Sequence, residues 1–261
     1  MAPPEPTKKV VKATEAPATT EPTWKPRPED RAKANQNRIV AIVLWVVAIA
    51  IECVAIFGLL LQQSVTAQTG EGAPVASHPF LWTTLSDTGY MIVLIGLIVL
   101  CGILSVIGSQ LWKKANRADP ASEKNKLRFF VQNQLGMILA LIAFIPLLVL
   151  VAMDKNLKGA QKGIVTGVAA LVLLVTVFAG IEFNPSSSEQ YGDEVAVVMA
   201  INGKDEVFWV KGGKVYHLCP ESADLGRPSQ DNQIYAGTVG QAHAAGKERL
   251  TLKSECGYPP E

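Results

Sequence analysis

Three residues near the end of the chain are of the types that bind zinc. His217 and Cys219 follow a Gly-Gly pair in the stretch KVYHLCPESADL (214–225), and Cys256 lies near the C-terminus. A structural zinc site needs four nitrogen or sulfur ligands, commonly with two closely spaced cysteines. Neither Cys219 nor Cys256 has such a neighbour, and the nearest further donor is His243. The pattern predicts a degenerate site and no resident cofactor, with zinc possible but not favoured. A residual metal or redox pair and a Cys219–Cys256 disulfide remain the alternatives.

A second candidate is Glu52, an acidic residue within an apolar stretch. It is the fourteenth of 23 residues in IVAIVLWVVAIAIECVAIFGLLL (39–61). A charge at that depth of a membrane is costly, so such residues face a bundle interior or a water path. Glu52 is either a proton or ion relay, or a protonated acid that hydrogen-bonds a neighbouring helix or a partner subunit. The absence of a basic or polar partner at similar depth favours the second interpretation.

Four apolar segments position these residues. Each is long enough to cross a hydrocarbon core of about 30 Å at 1.5 Å per residue, and backbone groups in lipid must be satisfied internally, so we expect helices. Pro146 predicts a kink in the third segment. Gly163 and Gly167 offer a close-packing face on the fourth. The predicted spans are 39–61, 91–112, 135–153 and 164–183.

The distribution of basic residues predicts the topology. Eight Lys and Arg residues lie in 1–38 and six in 113–134, against none in 62–90 and three in 154–163. Basic residues favour the cytoplasmic side, so we expect a cell-membrane protein with both termini in the cytoplasm. The three lysines of the short loop 154–163 argue mildly against this orientation.

The segments outside the spans have separate characters. Residues 1–37 are rich in Pro, Ala, Thr and charge, and we expect a disordered tail. In the middle loop, Asp119 at an N-cap and Pro120 at the first helical position predict a helix that runs into the third span. Its basic and apolar residues suit an anionic lipid surface, or alternatively a protein partner.

Residues 184–261 predict a small α+β domain. The runs 194–202 and 205–211 are rich in β-branched residues and joined by Asn202-Gly203, which predicts a hairpin. Further strands are expected at 214–218 and 248–253. Thr238 and Gln241 predict a capping box for a short helix that Gly246 ends. The expected fold is therefore an α-helical membrane protein with a tail at 1–37, four spans within 38–183 and this domain.

Two stretches carry a resemblance to a known group of proteins. LWKKANRADPASEKNKLRFFVQNQLG (111–136), with IEFNPSSSEQY (181–191), resembles a set of actinobacterial four-span membrane proteins. Their C-terminal domain shows VYxxxGGxVYHxxxxC followed by GTVxxAxxAGKxRLCxxC, where this chain has VFWVKGGKVYHLC and GTVGQAHAAGKERLTLKSEC. The resemblance implies the same architecture but no established activity.

The sequence shows no P-loop, GxSxG or HExxH motif, so we expect no enzyme. We expect a non-enzymatic accessory or scaffold protein of a membrane complex, such as a cell-envelope or respiratory assembly. The alternatives are an oligomeric transporter or channel-like protein that uses Glu52, and a metal- or redox-responsive membrane sensor. The expected partners are the lipid bilayer and a membrane protein, and no nucleic acid.

Overall fold

The computed structural model describes residues 10–12, 24–62, 64–67 and 75–252. The helices, in chain order, are α1 (Pro28–Ala55, extended by a π-helical turn, Ile56–Leu60), α2 (Asp87–Ala118), α3 (Lys126–Met153), α4 (Gly159–Gly180), α5 (Ser188–Asn202), α6 (Ala223–Gly226) and α7 (Val239–Ala244). The strands are β1 (Val10–Lys12), β2 (Val65–Ala67), β3 (Val75–Phe80), β4 (Thr83–Leu85), β5 (Val207–Val210), β6 (Val215–Tyr216), β7 (Ile234–Gly237) and β8 (Arg249–Leu250).

The chain forms two compact units. Residues 36–113 and 131–183 make up the first, here called the helical unit. Residues 1–35, 114–130 and 184–261 make up the second, here called the mixed unit because its described part holds both helices and strands.

Four helices are long and apolar enough to cross a membrane, which confirms the four predicted apolar helices. Only 22–28% of the most apolar window of each helix is buried inside the protein. Most of the remaining side chains point outward and are apolar, a surface that water would not solvate favourably. The four helices therefore indicate a multi-pass membrane protein.

The core of the helical unit is a seam along one face of each helix. On α3 the buried residues Ala140, Phe144, Leu147 and Val151 recur at spacings of three and four, which places them on one side of a helix. They pack in the same cluster as buried residues of α2 and α4 and of the π-helical turn. Helix α3 continues through Pro146 without a break.

Close packing of α3 and α4 depends on a pair of glycines. A Cβ built on Gly180 would lie 2.4 Å from the backbone nitrogen of Met137, and one on Gly136 would lie 3.3 Å from the Cα of Gly180. By contrast, a Cβ on Gly163 or Gly167 would meet nothing within 4 Å. The close-packing face expected at Gly163 and Gly167 is therefore not used within the described chain.

The C-terminal end of α4 leaves backbone carbonyls without helical partners, and side chains of α2 and α3 satisfy them. Gln134 donates from Nε2 to the carbonyl of Glu182 (2.9 Å) and accepts from its backbone N–H (3.2 Å). The Lys113 ammonium donates to the carbonyl of Ile181 (2.5 Å). These contacts fix where the helix ends.

Several predicted elements of the mixed unit are confirmed. Strand β5 lies within the predicted run 205–211, at one edge of a three-stranded sheet of order β1-β7-β5. Strands β6 and β8 pair in parallel. Thr238 and Gln241 form the predicted capping box of α7, and Gly246 follows the helix with a φ of +84°.

The predicted strand at 194–202 is wrong, because these residues lie in helix α5. The hydroxyl oxygen of Ser187 accepts from the backbone N–H of Gln190 (3.0 Å) and caps the start of the helix. Gly203, with a φ of +70°, ends it in the left-handed region, so Asn202-Gly203 is a helix end and not a hairpin turn. The apolar residues Val195 and Val198 pack at helical spacing, which outweighs their β-propensity.

The predicted helix start at Asp119 is also wrong. The backbone N–H of Asp119 donates to the carbonyl of Ala115, so Asp119 closes the end of α2. Pro120 prevents that helix from continuing, and Ala121 pairs with Ser187 in an isolated parallel bridge. Helix α3 begins at Lys126, where Asn125 accepts from the backbone N–H of Arg128 (3.1 Å).

Part of the predicted tail is ordered. Helix α1 begins at Pro28, a residue that suits the first helical position, so 28–37 are helical. Strand β1 pairs in parallel with β7. Residues 1–9 and 13–23 lie outside the described residues.

We expect Gly180→Ala to lower the free energy of unfolding by about 1–3 kcal/mol, because the new methyl group would force backbone apart. The measurement is unfolding of the purified protein in detergent by titration with a denaturing detergent. Gly167→Ala, on the same helix but facing open space, is the matched control and should be at least as stable as wild type, because alanine has the higher helix propensity. Equal loss in both variants would contradict the close approach at Gly180.

Candidate functional site

The mixed unit places His217 at the end of β6. Its backbone N–H and carbonyl both pair with Phe208, and its ring Nδ1 lies 2.8 Å from the hydroxyl oxygen of Ser222. The side chain is buried. The hydrogen bond with Ser222 fixes the orientation of the imidazole ring. His217 therefore has a structural role whether or not it binds a metal.

The two cysteines of the predicted metal site are placed differently. Cys219 is disulfide-bonded, whereas the other two described cysteines, Cys53 and Cys101, are free. Cys256 lies outside the described residues. A sulfur held in a disulfide is not the thiolate that zinc requires, so metal binding by His217 and Cys219 would need the reduced form. Among the described residues, no group of three or more His, Cys, Asp or Glu side chains is arranged to hold a metal ion.

The fourth candidate donor, His243 on α7, belongs to a buried cluster that the sequence did not predict. Its Nε2 lies 2.5 Å from a carboxylate oxygen of Glu194 on α5, and the hydroxyl of Tyr216 donates to the same oxygen. The ring of Tyr191 stacks on the imidazole at 3.9 Å between centroids. His243 is fully buried, so this cluster holds α5, α7 and β6 together.

The Glu194 carboxyl is the centre of this cluster. Burial by itself would raise the pKa of Glu194, but hydrogen bonds from His243, Tyr216 and Gln190 and the positive charge of His243 outweigh it, leaving the pKa below its ordinary value. Burial and the neighbouring carboxylate raise the pKa of Tyr216. The charged form of Glu194 is therefore the one that the fold stabilises.

The lysine of the Ala-Gly-Lys stretch at 245–247 is buried and has a structural role. Lys247, directly after Gly246, donates from its ammonium to the carbonyls of Val210 (2.7 Å) and Gly213 (2.6 Å). These carbonyls belong to the turn between β5 and β6, in which Gly212 has a φ of +88°. Burial lowers the pKa of Lys247. The Gly-Gly turn at 212–213 and the Ala-Gly-Lys stretch at 245–247 are thus joined by hydrogen bonds from the Lys247 ammonium.

The ordered end of the N-terminal segment packs on the same cluster. The ring of Trp24 meets that of Tyr191 edge-on at 4.9 Å between centroids. A Cβ on Gly240 would lie 3.0 Å from the Trp24 ring, so this glycine leaves room for the indole. The aromatic residue of the Pro-rich stretch therefore contacts its own chain.

The helical unit places Glu52 on the inward face of α1. Its side chain is buried and lines a cavity of about 20 Å³ with residues of α2 and α3. Cys101 and Ser105, which lie at four-residue spacing on α2, face the same cavity. The structure therefore supplies polar neighbours at the depth of Glu52 that the sequence did not reveal.

A second polar cluster of the helical unit lies where α2 begins and α3 ends. His78 Nε2 is 2.7 Å from the Asp87 carboxylate, and the Tyr90 hydroxyl donates to Asp154 (2.7 Å). The His78 and Tyr90 rings lie 4.6 Å apart. Spacing in the sequence does not reveal this cluster, because Asp154 lies 64 residues from Tyr90.

The cluster at Glu194 predicts a pH dependence of stability. Because its pKa is lower in the folded chain than the ordinary value of 4.5, the unfolded chain binds more protons between these two values. This contribution is fully present above about pH 4.5 and is lost as the pH falls through the folded pKa. We expect Glu194→Gln to remove that acid-side loss.

Melting temperatures of the full-length protein in detergent, taken from neutral pH downward, measure this effect. Glu221→Gln, which removes an exposed carboxyl of the same unit, is the control. Parallel pH profiles for wild type and Glu194→Gln would show that the carboxyl contributes no such stability.

Metal content tests the degenerate-site prediction. We expect the purified full-length protein to carry clearly less than one zinc per chain and to melt at the same temperature with or without a chelator. One bound zinc per chain, with a large drop in melting temperature on chelation and loss of the metal in Cys219→Ser, would instead identify His217, Cys219 and Cys256 as ligands.

No protein-family model matches this chain, and no curated protein or solved structure is significantly similar to it.

Proposed function

We propose that this chain is a non-enzymatic accessory or scaffold subunit of a larger membrane complex, such as a cell-envelope or respiratory assembly. We place it in the cell membrane, among the actinobacterial four-span proteins that its motifs resemble. Its partners are the lipid bilayer and another membrane protein, and it needs no cofactor.

One observation supports this proposal above the others: three separated stretches of chain build the mixed unit. The loop residue Ser122 donates to Glu189 of α5 (2.5 Å), and the backbone N–H of Glu123 donates to the same carboxylate (2.9 Å). These bonds lower the pKa of Glu189 to about 2. The hydroxyl of Tyr191 donates to the carbonyl of Arg117 (2.9 Å). A unit tied into the chain at three places presents a fixed surface, which suits a scaffold.

The cavity at Glu52 gives little support to the transport alternative. Its volume of about 20 Å³ is enough for a single water molecule and too small for a solute. Transport would need either a larger opening between subunits or a different conformation.

The sensor alternative has one specific observation in its favour, the disulfide at Cys219. Disulfides persist in oxidising compartments and are rare in the cytosol, whereas the basic residues favour the cytoplasmic side. We propose the cytoplasmic side for both termini. The N-terminal segment 1–38 and the loop 113–134 together hold 14 Lys and Arg residues, whereas the loops 62–90 and 154–163 together hold three. The disulfide at Cys219 is the observation that argues against this side.

Reporter fusions after residues 38, 88, 125 and 261 test the orientation. Residues 114–130 and 184–252 belong to one unit, so the fusions at 125 and 261 should report the same side, and the fusion at 88 the opposite side. We expect the fusions at 38, 125 and 261 to be cytoplasmic. An external signal at 261 would reverse the orientation and favour the disulfide form, in which a thiol reagent would label Cys219 in intact cells only after reduction.

Affinity purification in a mild detergent tests the scaffold function. We expect a stable partner in fixed stoichiometry, and a lower yield of that partner from Glu189→Gln, which loses the charge that holds the loop at Ser122. Glu221→Gln should retain the partner as wild type does. A pure homo-oligomer, unaffected by either variant, would favour transport instead.

A further inference from the structure

The surroundings of Glu52 leave its carboxyl facing the cavity. The side chain is 8% exposed, and no hydrogen bond joins it to any residue that the structure describes. Two neighbouring donors are engaged elsewhere: the Cys101 thiol donates to the carbonyl of Ala48 (3.3 Å), and the Trp45 ring N–H lies 3.4 Å from the carbonyl of Ser105. A hydrogen-bond partner for the carboxyl therefore has to come from within the cavity.

The charge state of Glu52 follows from its neighbours. The residues that α3 contributes to the cavity are apolar, namely Gly136, Leu139, Ala140, Ala143 and Phe144. The other titratable group of the lining is Cys101 on α2, and no lining residue is basic. An ionised carboxylate without a partner is very costly in such surroundings, and the group is far cheaper to bury with its proton on.

A protonated carboxyl still needs hydrogen-bond partners, because it carries one O–H donor and two acceptor oxygens. A cavity of about 20 Å³ holds a single water molecule, provided that two or more polar groups line it. The carboxyl of Glu52, the hydroxyl of Ser105 and the sulfur of Cys101 are such groups. Size and lining thus fit one water.

We propose that Glu52 and this cavity form a proton-binding site, in which the protonated carboxyl donates a hydrogen bond to one water molecule in the cavity. The site lies within the first apolar helix and rests on the proposed membrane location of that helix. It takes a proton and a single water molecule.

Carbodiimides test the site, because they react with carboxyls that carry a proton. In the full-length protein in lipid nanodiscs at neutral pH, we expect dicyclohexylcarbodiimide to give a covalent adduct at Glu52, identified by peptide mass spectrometry. Glu52→Gln should give none. A water-soluble carbodiimide should leave Glu52 unlabelled, since the site lies among apolar helices, away from the water phase. Labelling of Glu52 by both reagents would mean that the helix is exposed to water, so that the membrane location is wrong. Partner purification tests the scaffold function separately and would not detect this failure.

Infrared spectroscopy tests the protonation of Glu52 and the water. We expect wild type at neutral pH to show the carbonyl band of a protonated, hydrogen-bonded carboxyl, and Ser105→Ala to shift that band toward the free-carboxyl position. Absence of both the band and the adduct would show that Glu52 is ionised and would overturn the proposal. Protection from labelling by sodium ions would overturn it as well, because the site would then bind a metal cation.

Discussion

Within the four apolar helices, backbone groups have to be satisfied by the protein itself if the helices cross a membrane, and the structure of the helical unit fits that constraint. Helices α1 to α4 satisfy their own backbone groups, and the carbonyls at the end of α4 are satisfied by Gln134 and Lys113. Thr176 donates to carbonyls of its own helix (2.8 and 2.9 Å). Against this background, the carboxyl of Glu52 stands out because no described residue bonds to it.

The same constraint explains the contact between α3 and α4. Lipid tails are as apolar as the side chains, so helices in a membrane associate through close packing and not through burial from water. The backbones approach at Gly136 and Gly180, where any side chain would collide. Outward apolar residues, in contrast, are free to face lipid or a partner.

The mixed unit follows a different rule, since it buries charge. His243 and Lys247 are buried, and each bonds to a partner: His243 to the Glu194 carboxylate and Lys247 to backbone carbonyls. The sheet, α5 and α7 pack around them. Removing one member of such a network leaves the others without partners, which costs more than the network itself gains. These side chains therefore act as fixed structural elements, in keeping with a scaffold.

The sequence alone determined the four apolar helices, the capping box at Thr238 and the strand at Val207–Val210, because each depends on periodicity or on contacts within a few residues. It misassigned α5, whose β-branched run is helical through packing of Val198 against β5 and α7, and it misplaced the start of α3, because Ala121 pairs with Ser187, 66 residues away. Only the tertiary structure brought Glu194, Tyr216 and His243 together, and only it showed the cavity beside Glu52. Distant residues meet according to how whole helices and strands pack, and local spacing carries no record of that packing.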